Sequence, residues 1–321
     1  MSRGPVVHGE ASSKGSGRRV PIIAVSNQKG GVGKTTSTLN MGAALREMGK
    51  TVLLVDLDPQ GSLTVAAGVV DNDAIRTSIG DLLMARAQGA PQDIMKAIIQ
   101  TPAGLDLVPG SGMLSAAELT LATAMARESA LLATLKPALD RYDYILVDCL
   151  PSLGLVAINA LRAADGVVIP VQADFLAVQG LAQILETIEA VREQLNPPLA
   201  VYGVLLTMVD PKRSHAQRVV ATVRHSLKGK VPVFETQIVQ NFAYKEAAEV
   251  GRTILEFQSR GQAADNYRQL AREVALAAGD EEITALQPRR GGLFAAIGRF
   301  FRGLTGGHAS QETGRTLAGA A

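Results

Sequence analysis

Lys29-Gly30-Gly31-Val32-Gly33-Lys34-Thr35-Thr36 stands between an apolar run, Pro21-Ile22-Ile23-Ala24-Val25, and a helical pattern from Leu39 to Met48. A Gly-rich turn between strand and helix lets backbone N–H groups converge on an anion, and the helix N-terminus adds partial positive charge. That makes the stretch a phosphate cradle. Lys34 supplies a cation for the β- and γ-phosphates, and the Thr35 hydroxyl is placed to ligate Mg²⁺. The usual phosphate-loop pattern has Gly five residues before Gly33; here Gln28 stands there, and Lys29 is an added cation. Two further apolar runs end in carboxylates, Leu54-Val55-Asp56-Leu57-Asp58-Pro59-Gln60 and Tyr144-Ile145-Leu146-Val147-Asp148. Beside a phosphate cradle, a carboxylate at a strand exit can orient water or hold a metal ion. Asp148 fits the carboxylate that holds Mg²⁺, often through water, in phosphate-loop nucleotidases.

These groups need a scaffold that brings strand exits to one edge. Strands are expected near 21–26, 51–56, 105–109, 143–148, 166–171, 200–207 and 231–235. Helices are expected near 34–48, 115–140, 153–163, 175–195, 214–228 and 263–277, with shorter ones near 76–88 and 242–249. Thr51-Val52-Leu53-Leu54-Val55 and Gly166-Val167-Val168-Ile169 are continuously apolar, the pattern of strands covered by helices on both faces. The expected fold is therefore α/β, a doubly wound and mostly parallel sheet with its strand-to-helix turns at the carboxyl edge.

The chain has 321 residues, enough for one large doubly wound unit with tails. Residues 1–19 read as a flexible, mildly basic arm, 20–278 as the nucleotide-binding domain, and 279–321 as a linker and tail. A hydrophobic content of 47% supports a substantial core, and 4% aromatics with no Trp makes that core aliphatic. The net charge of +2 is too small to indicate a partner by itself. The single cysteine, Cys149, excludes an intramolecular disulfide and suits a reducing, cytoplasmic setting; it reads as a small buried hydrophobe at a strand end. No apolar segment of signal-peptide length opens the chain, and no run of about 18 apolar residues is long enough to span a bilayer.

In combination and order, these motifs resemble the ParA/MinD group of deviant Walker A ATPases, and within it the ParA/Soj partition branch. The likeness rests on Lys29 to Thr36, Asp56-Leu57-Asp58-Pro59-Gln60-Gly61, Asp148 through Pro151-Ser152-Leu153-Gly154, Asn159-Ala160-Leu161 and Ile169-Pro170-Val171-Gln172. It runs from residue 21 to about 276. The resemblance implies a P-loop NTPase fold, with residues 20–278 as a ParA-type ATPase domain that uses ATP and Mg²⁺. By the same resemblance, Lys29 is the signature lysine that reaches across an ATP-bound homodimer to the partner's phosphates. Lys34 acts on the phosphates of its own subunit, Asp58 orients the attacking water, and Asp148 holds Mg²⁺ through water together with Thr35. The resemblance further implies slow hydrolysis that is promoted by a short N-terminal segment of a ParB-like or adaptor partner and that releases the dimer. Two positions depart from the branch. Asp148-Cys149-Leu150-Pro151 replaces the common Asp-x-Pro-Pro, and Ile238-Val239-Gln240-Asn241 replaces the usual Ile-Pro-Arg-Asn, losing an arginine.

Two regions bear on what such a switch would hold. Lys212, Arg213, Arg218, Arg224, Lys228 and Lys230 cluster with only Asp210 opposing them, a pattern able to neutralise DNA phosphates without reading sequence, or else a solvated helix face. Near the C-terminus, Leu293, Phe294, Ile297, Phe300, Phe301 and Leu304 fall within an arc of about 120° on a helix over about 291–305, with Arg299 and Arg302 elsewhere. That pattern suits shallow insertion into an anionic membrane surface; docking on a protein partner or on the chain's own domain are the alternatives. The leading expectation is an ATP-dependent switch that segregates or positions DNA or a protein cargo and is associated with the nucleoid. The alternative is a MinD-like positioning or scaffold ATPase at the inner face of the membrane. An iron-protein type of metabolic enzyme is disfavoured, because one cysteine cannot build a bridging cluster site.

Overall fold

The structure, a computed structural model, describes residues 20–70, 75–174 and 177–285. Its strands are β1 (Ile22–Val25), β2 (Val52–Leu57), β3 (Ile99–Gln100), β4 (Asp106–Val108), β5 (Tyr144–Cys149), β6 (Gly166–Gln172), β7 (Ala200–Val209) and β8 (Val233–Val239). The helices are α1 (Lys34–Glu47), α2 (Ser62–Ala66), α3 (Ile79–Ala87), α4 (Met113–Leu121), α5 (Ala130–Leu135), α6 (Leu155–Ala163), α7 (Ala177–Gln194), α8 (Ser214–Leu227), α9 (Ala243–Glu249), α10 (Ile254–Phe257), α11 (Gln262–Ala277) and α12 (Glu281–Ala285).

One eight-stranded sheet runs in the order β3-β4-β2-β5-β1-β6-β7-β8. Every neighbouring pair is parallel except β3 with β4. All residues of β1, β2 and β5 are buried, which explains their uninterrupted apolar sequences. One side chain set, including Leu39, Met41, Leu45, Tyr267 and Leu270, joins α1 and α11 to one face of the sheet. The opposite face packs Ile79, Leu114, Leu131, Leu161, Ile184 and Val223 from α3 to α8. The expected doubly wound α/β architecture is therefore present, and the exits of β1, β2, β5, β6 and β7 share one edge.

Several local expectations are corrected. The helix expected over 115–140 is broken into α4, a 3₁₀ turn at Arg127–Ser129, α5 and a second 3₁₀ turn at Lys136–Ala138. Ala126 takes a left-handed φ of 52°, and buried Asn159 holds the break. Its Oδ1 accepts from Leu131 N at 3.0 Å, and its Nδ2 donates to the Arg127 carbonyl at 2.8 Å. Short α2 and β3 were not expected, and β8 runs to Val239 rather than ending near 235.

The chain also stays packed beyond Ala278, where a linker was expected. Asp280 is buried at the amino edge of the sheet and accepts from the Tyr144 hydroxyl at 2.7 Å. It pairs with buried Lys50 at 3.1 Å and caps α12 by accepting from Glu282 N at 3.1 Å. Ile283 is buried as well. The expected basic arm and the tail helix lie outside the described residues. Among the described residues, no helix is long and apolar enough to cross a membrane.

Candidate nucleotide site

The phosphate loop leaves β1 at the middle of the sheet and is pinned by its neighbours. Ser26 N donates to the Val168 carbonyl at 3.1 Å. Asn27 Nδ2 donates to the Pro170 carbonyl at 2.7 Å, while its Oδ1 accepts from Lys29 N at 3.0 Å. On the β7 side, Thr207 Oγ1 donates to the Val32 carbonyl at 2.8 Å. Two turns of this loop demand glycine, since Gly31 and Gly33 have φ of 73° and 89°. Gly33 then delivers the chain into α1, whose first N–H groups face the cradle.

Lys34, Thr35 and Asp148 lie together at this edge. Lys34 is buried, and its Nζ donates to the Lys29 carbonyl at 3.1 Å, arching the lysine back over the loop. Burial pushes its pKa down, opposed by the carboxylate of Asp148. Thr35 Oγ1 donates to Asp148 Oδ2 at 2.7 Å, and Thr38 Oγ1 lies 3.3 Å from Asp148 Oδ1. Asp148 is buried at the exit of β5 beside Asp56. Burial first, and the neighbouring Asp56 charge second, raise its pKa to about 8. Such a carboxyl becomes a better anion when a cation arrives. Among the described residues no cluster of three or more His, Cys, Asp or Glu forms a ready metal cage. Mg²⁺ is commonly held by one or two carboxylates together with phosphates and water. The glycine turns, the buried lysine and the Thr35–Asp148 pair thus fit a magnesium nucleotide.

The two carboxylates after β2 have different surroundings. Asp56 is fully buried and accepts from Asp58 N, Thr64 N and Thr64 Oγ1; burial raises its pKa to about 6. Asp58 is only half-buried, accepts from Gln60 N at 2.9 Å and lies 3.4 Å from Ser62 Oγ. Lys29 is ion-paired with Asp174, just past the exit of β6. Asp174 was not among the expected site residues, although like Asp58 it is a carboxylate just beyond an apolar strand. Cys149 is buried, as expected of a packing residue, and burial pushes its thiol up to about 12.

The basic cluster divides. Lys212, Arg213, Arg218, Lys228 and Lys230 are exposed, with Arg213 also pairing with Asp210 at 3.2 Å. Arg224 instead turns toward β8, donating to the Phe234 carbonyl at 2.8 Å and lying 3.5 Å from the Glu235 carboxylate. It clamps α8 to the sheet and leaves the exposed set. At the departure from the partition pattern, Gln240 N donates to the Val209 carbonyl at 3.0 Å, tying the ends of β8 and β7.

A family profile described as "AAA domain" matches residues 20–201. The chain is 43% identical over 254 residues to the sporulation initiation inhibitor protein Soj of Bacillus subtilis, covering 79% of this chain and 98% of Soj. It is 38% identical over 267 residues to the chromosome partitioning protein ParA of Caulobacter vibrioides, covering 82% and 97%. A Mycobacterium smegmatis structure named cobyrinic acid a,c-diamide synthase, with bound ADP and magnesium, superposes with a TM-score of 0.68 at 35% identity, covering 78% of this chain and 92% of the other. By these matches the chain belongs to the ParA/MinD family of deviant Walker A ATPases, on the ParA/Soj branch.

Proposed function

We propose that this protein is an ATP-driven dimerising switch that positions DNA or a cargo bound to it, with slow hydrolysis that a partner accelerates. One observation carries the reading: buried Lys34, the Thr35–Asp148 pair and the Asp58 turn meet at one sheet edge beside a loop bearing a second lysine, Lys29. Lys34 and the loop N–H groups, from Gly30, Gly31, Val32 and Gly33 to Thr35 and Thr36, would hold the phosphates, with Thr35 and Asp148 on the Mg²⁺ side. Bound Mg²⁺ would neutralise charge developing on the phosphate oxygens. Asp58 orients the attacking water. Lys29 is not needed to complete the cradle of its own subunit, and its role is to reach the phosphates held by a second copy. Exposed Lys212, Arg213, Arg218, Lys228 and Lys230 supply non-specific DNA contacts, and a ParB-like or adaptor protein supplies the stimulus. Such a protein works in the cytoplasm on the nucleoid.

The test is light scattering of the full chain with Mg²⁺-ATP and with Mg²⁺-ADP, beside Lys29→Ala. ATP should double the scattering mass of the wild type and not of the variant, while nucleotide binding persists in both. A Lys29→Ala protein that dimerises and hydrolyses ATP like wild type removes the switch assignment. The membrane-associated alternative rests on the sequence pattern of Leu293, Phe294, Ile297, Phe300, Phe301 and Leu304.

A further inference from the structure

We infer that Thr64 is a positioning residue for Asp58, acting through Asp56; the inference rests on the reading of Asp58 as the residue that orients water. Three chain segments meet at the Thr64 hydroxyl. Its proton goes to Asp56 Oδ2 at 2.7 Å, and its oxygen accepts from Gly110 N, in the turn after β4, at 3.0 Å. Thr64 N also donates to Asp56 Oδ2, at 2.8 Å, and the other oxygen of Asp56 accepts from Asp58 N at 3.1 Å. Asp56 is therefore an internal brace, and of the two carboxylates only Asp58 is presented outward.

The space around this brace is tight. A Cβ on Gly110 would lie 2.8 Å from Asp56 Cγ and 2.8 Å from the Asp58 carbonyl oxygen. Gly61, with a φ of 64°, closes the Asp58 turn by donating its N–H to the Asp58 carbonyl at 2.9 Å. Thr64 is itself buried. A residue without a hydroxyl there strips one donor from a buried carboxylate and leaves the Gly110 N–H without its acceptor. The Asp58 turn, hung from Asp56 on one side and abutting Gly110 on the other, then loses its fixed position.

Steady-state ATP turnover of the full chain with Mg²⁺ tests this in Thr64→Val, Thr64→Ala and Thr64→Ser, with Asp58→Ala as a parallel arm. Thr64→Val and Thr64→Ala should lower kcat by about tenfold or more, with KM for ATP within about twofold of wild type. Thr64→Ser should recover kcat to within about threefold of wild type, because the hydroxyl is restored. Thr64→Ala and Thr64→Ser both lack the methyl group and differ by one oxygen, so their comparison separates hydrogen bonding from packing. Wild-type kcat in Thr64→Ala, or equal loss in Thr64→Ser and Thr64→Ala, overturns the inference; so does a KM that rises as far as kcat falls. If Asp58→Ala turns over like wild type, the role given to Asp58 fails and the inference with it. An inactive Asp58→Ala beside an active Thr64→Ala overturns the positioning role alone.

Discussion

Lys34 and Asp148 are buried charges that make sense only with a counterpart, and each yields a measurable consequence. Lys34→Ala should weaken ATP binding by about 10- to 100-fold, the worth of a hydrogen bond to a charged group, as read by equilibrium binding. Asp148 has a raised pKa, so between the ordinary carboxylate range and about 8 the folded protein binds more protons than the unfolded chain. Stability of the nucleotide-free protein therefore falls as pH rises through that window. Asp148→Asn should flatten the fall, and Mg²⁺-ATP should raise the melting temperature more at pH 8 than at pH 5.5. Melting curves that stay parallel for wild type and Asp148→Asn across this range would refute the assignment. Lys29 differs, being 39% exposed and paired with Asp174 at 33% exposure. Such a pair is worth about 0–1 kcal/mol, so Lys29 can leave Asp174 for a phosphate at little cost.

Helix α8 shows where sequence was sufficient and where it was not. The run of basic residues from Lys212 to Lys230 and the helix under it were legible from composition and period. The inward turn of Arg224 was not, since its hydrogen-bond partners are the carbonyls of Phe234 and Glu235 in β8, and a backbone acceptor leaves no mark in the sequence. The same limit applies to Asn159, whose amide interrupts the expected helix over 115–140 from a distant position in the chain. By contrast, the strands that carry Asp56 and Asp148 were legible because burial on both faces leaves an unbroken apolar run that reaches a carboxylate at its end. If α8 is the DNA face, Lys212→Glu with Arg218→Glu should weaken DNA binding and reduce the salt slope by about 1.8, at about 0.9 per lost phosphate contact. Arg224→Ala should instead lower stability by about 1–3 kcal/mol, with the salt slope unchanged. Filter binding across salt concentrations, paired with thermal melts, distinguishes the two effects. A loss of salt slope in Arg224→Ala would return that residue to the DNA surface.

At the scale of the whole molecule, the nucleotide edge and the exit of the C-terminal segment lie at opposite ends of the sheet. Phosphate loop, Asp58 and Asp148 sit at the carboxyl ends of β1, β2 and β5. Asp280 sits beside Tyr144, where β5 begins, and beside Lys50, just before β2. Lys50 and the Asp280 side chain are 5% and 3% exposed, and Lys50 also pairs with Glu282, so removing Asp280 takes away one of two carboxylates that face a buried ammonium. Breaking a buried pair on one side costs about 3–5 kcal/mol. Truncation after residue 278 removes both Asp280 and Glu282 and should therefore lower the melting temperature sharply, and Asp280→Ala, which keeps the Lys50–Glu282 pair, should reproduce part of that loss. Truncation after residue 289 keeps the Asp280 contacts and α12, and should leave both melting temperature and ATP affinity at wild-type values. The two truncations thus separate the fold from the tail. The second also isolates the apolar arc of the sequence between Leu293 and Leu304. If that arc meets an anionic bilayer, the full chain should sediment with anionic liposomes at low salt, and neither Phe300→Glu with Phe301→Glu nor the truncation after residue 289 should do so. Absence of sedimentation by the full chain, with ATP and without it, would turn the arc toward a protein partner.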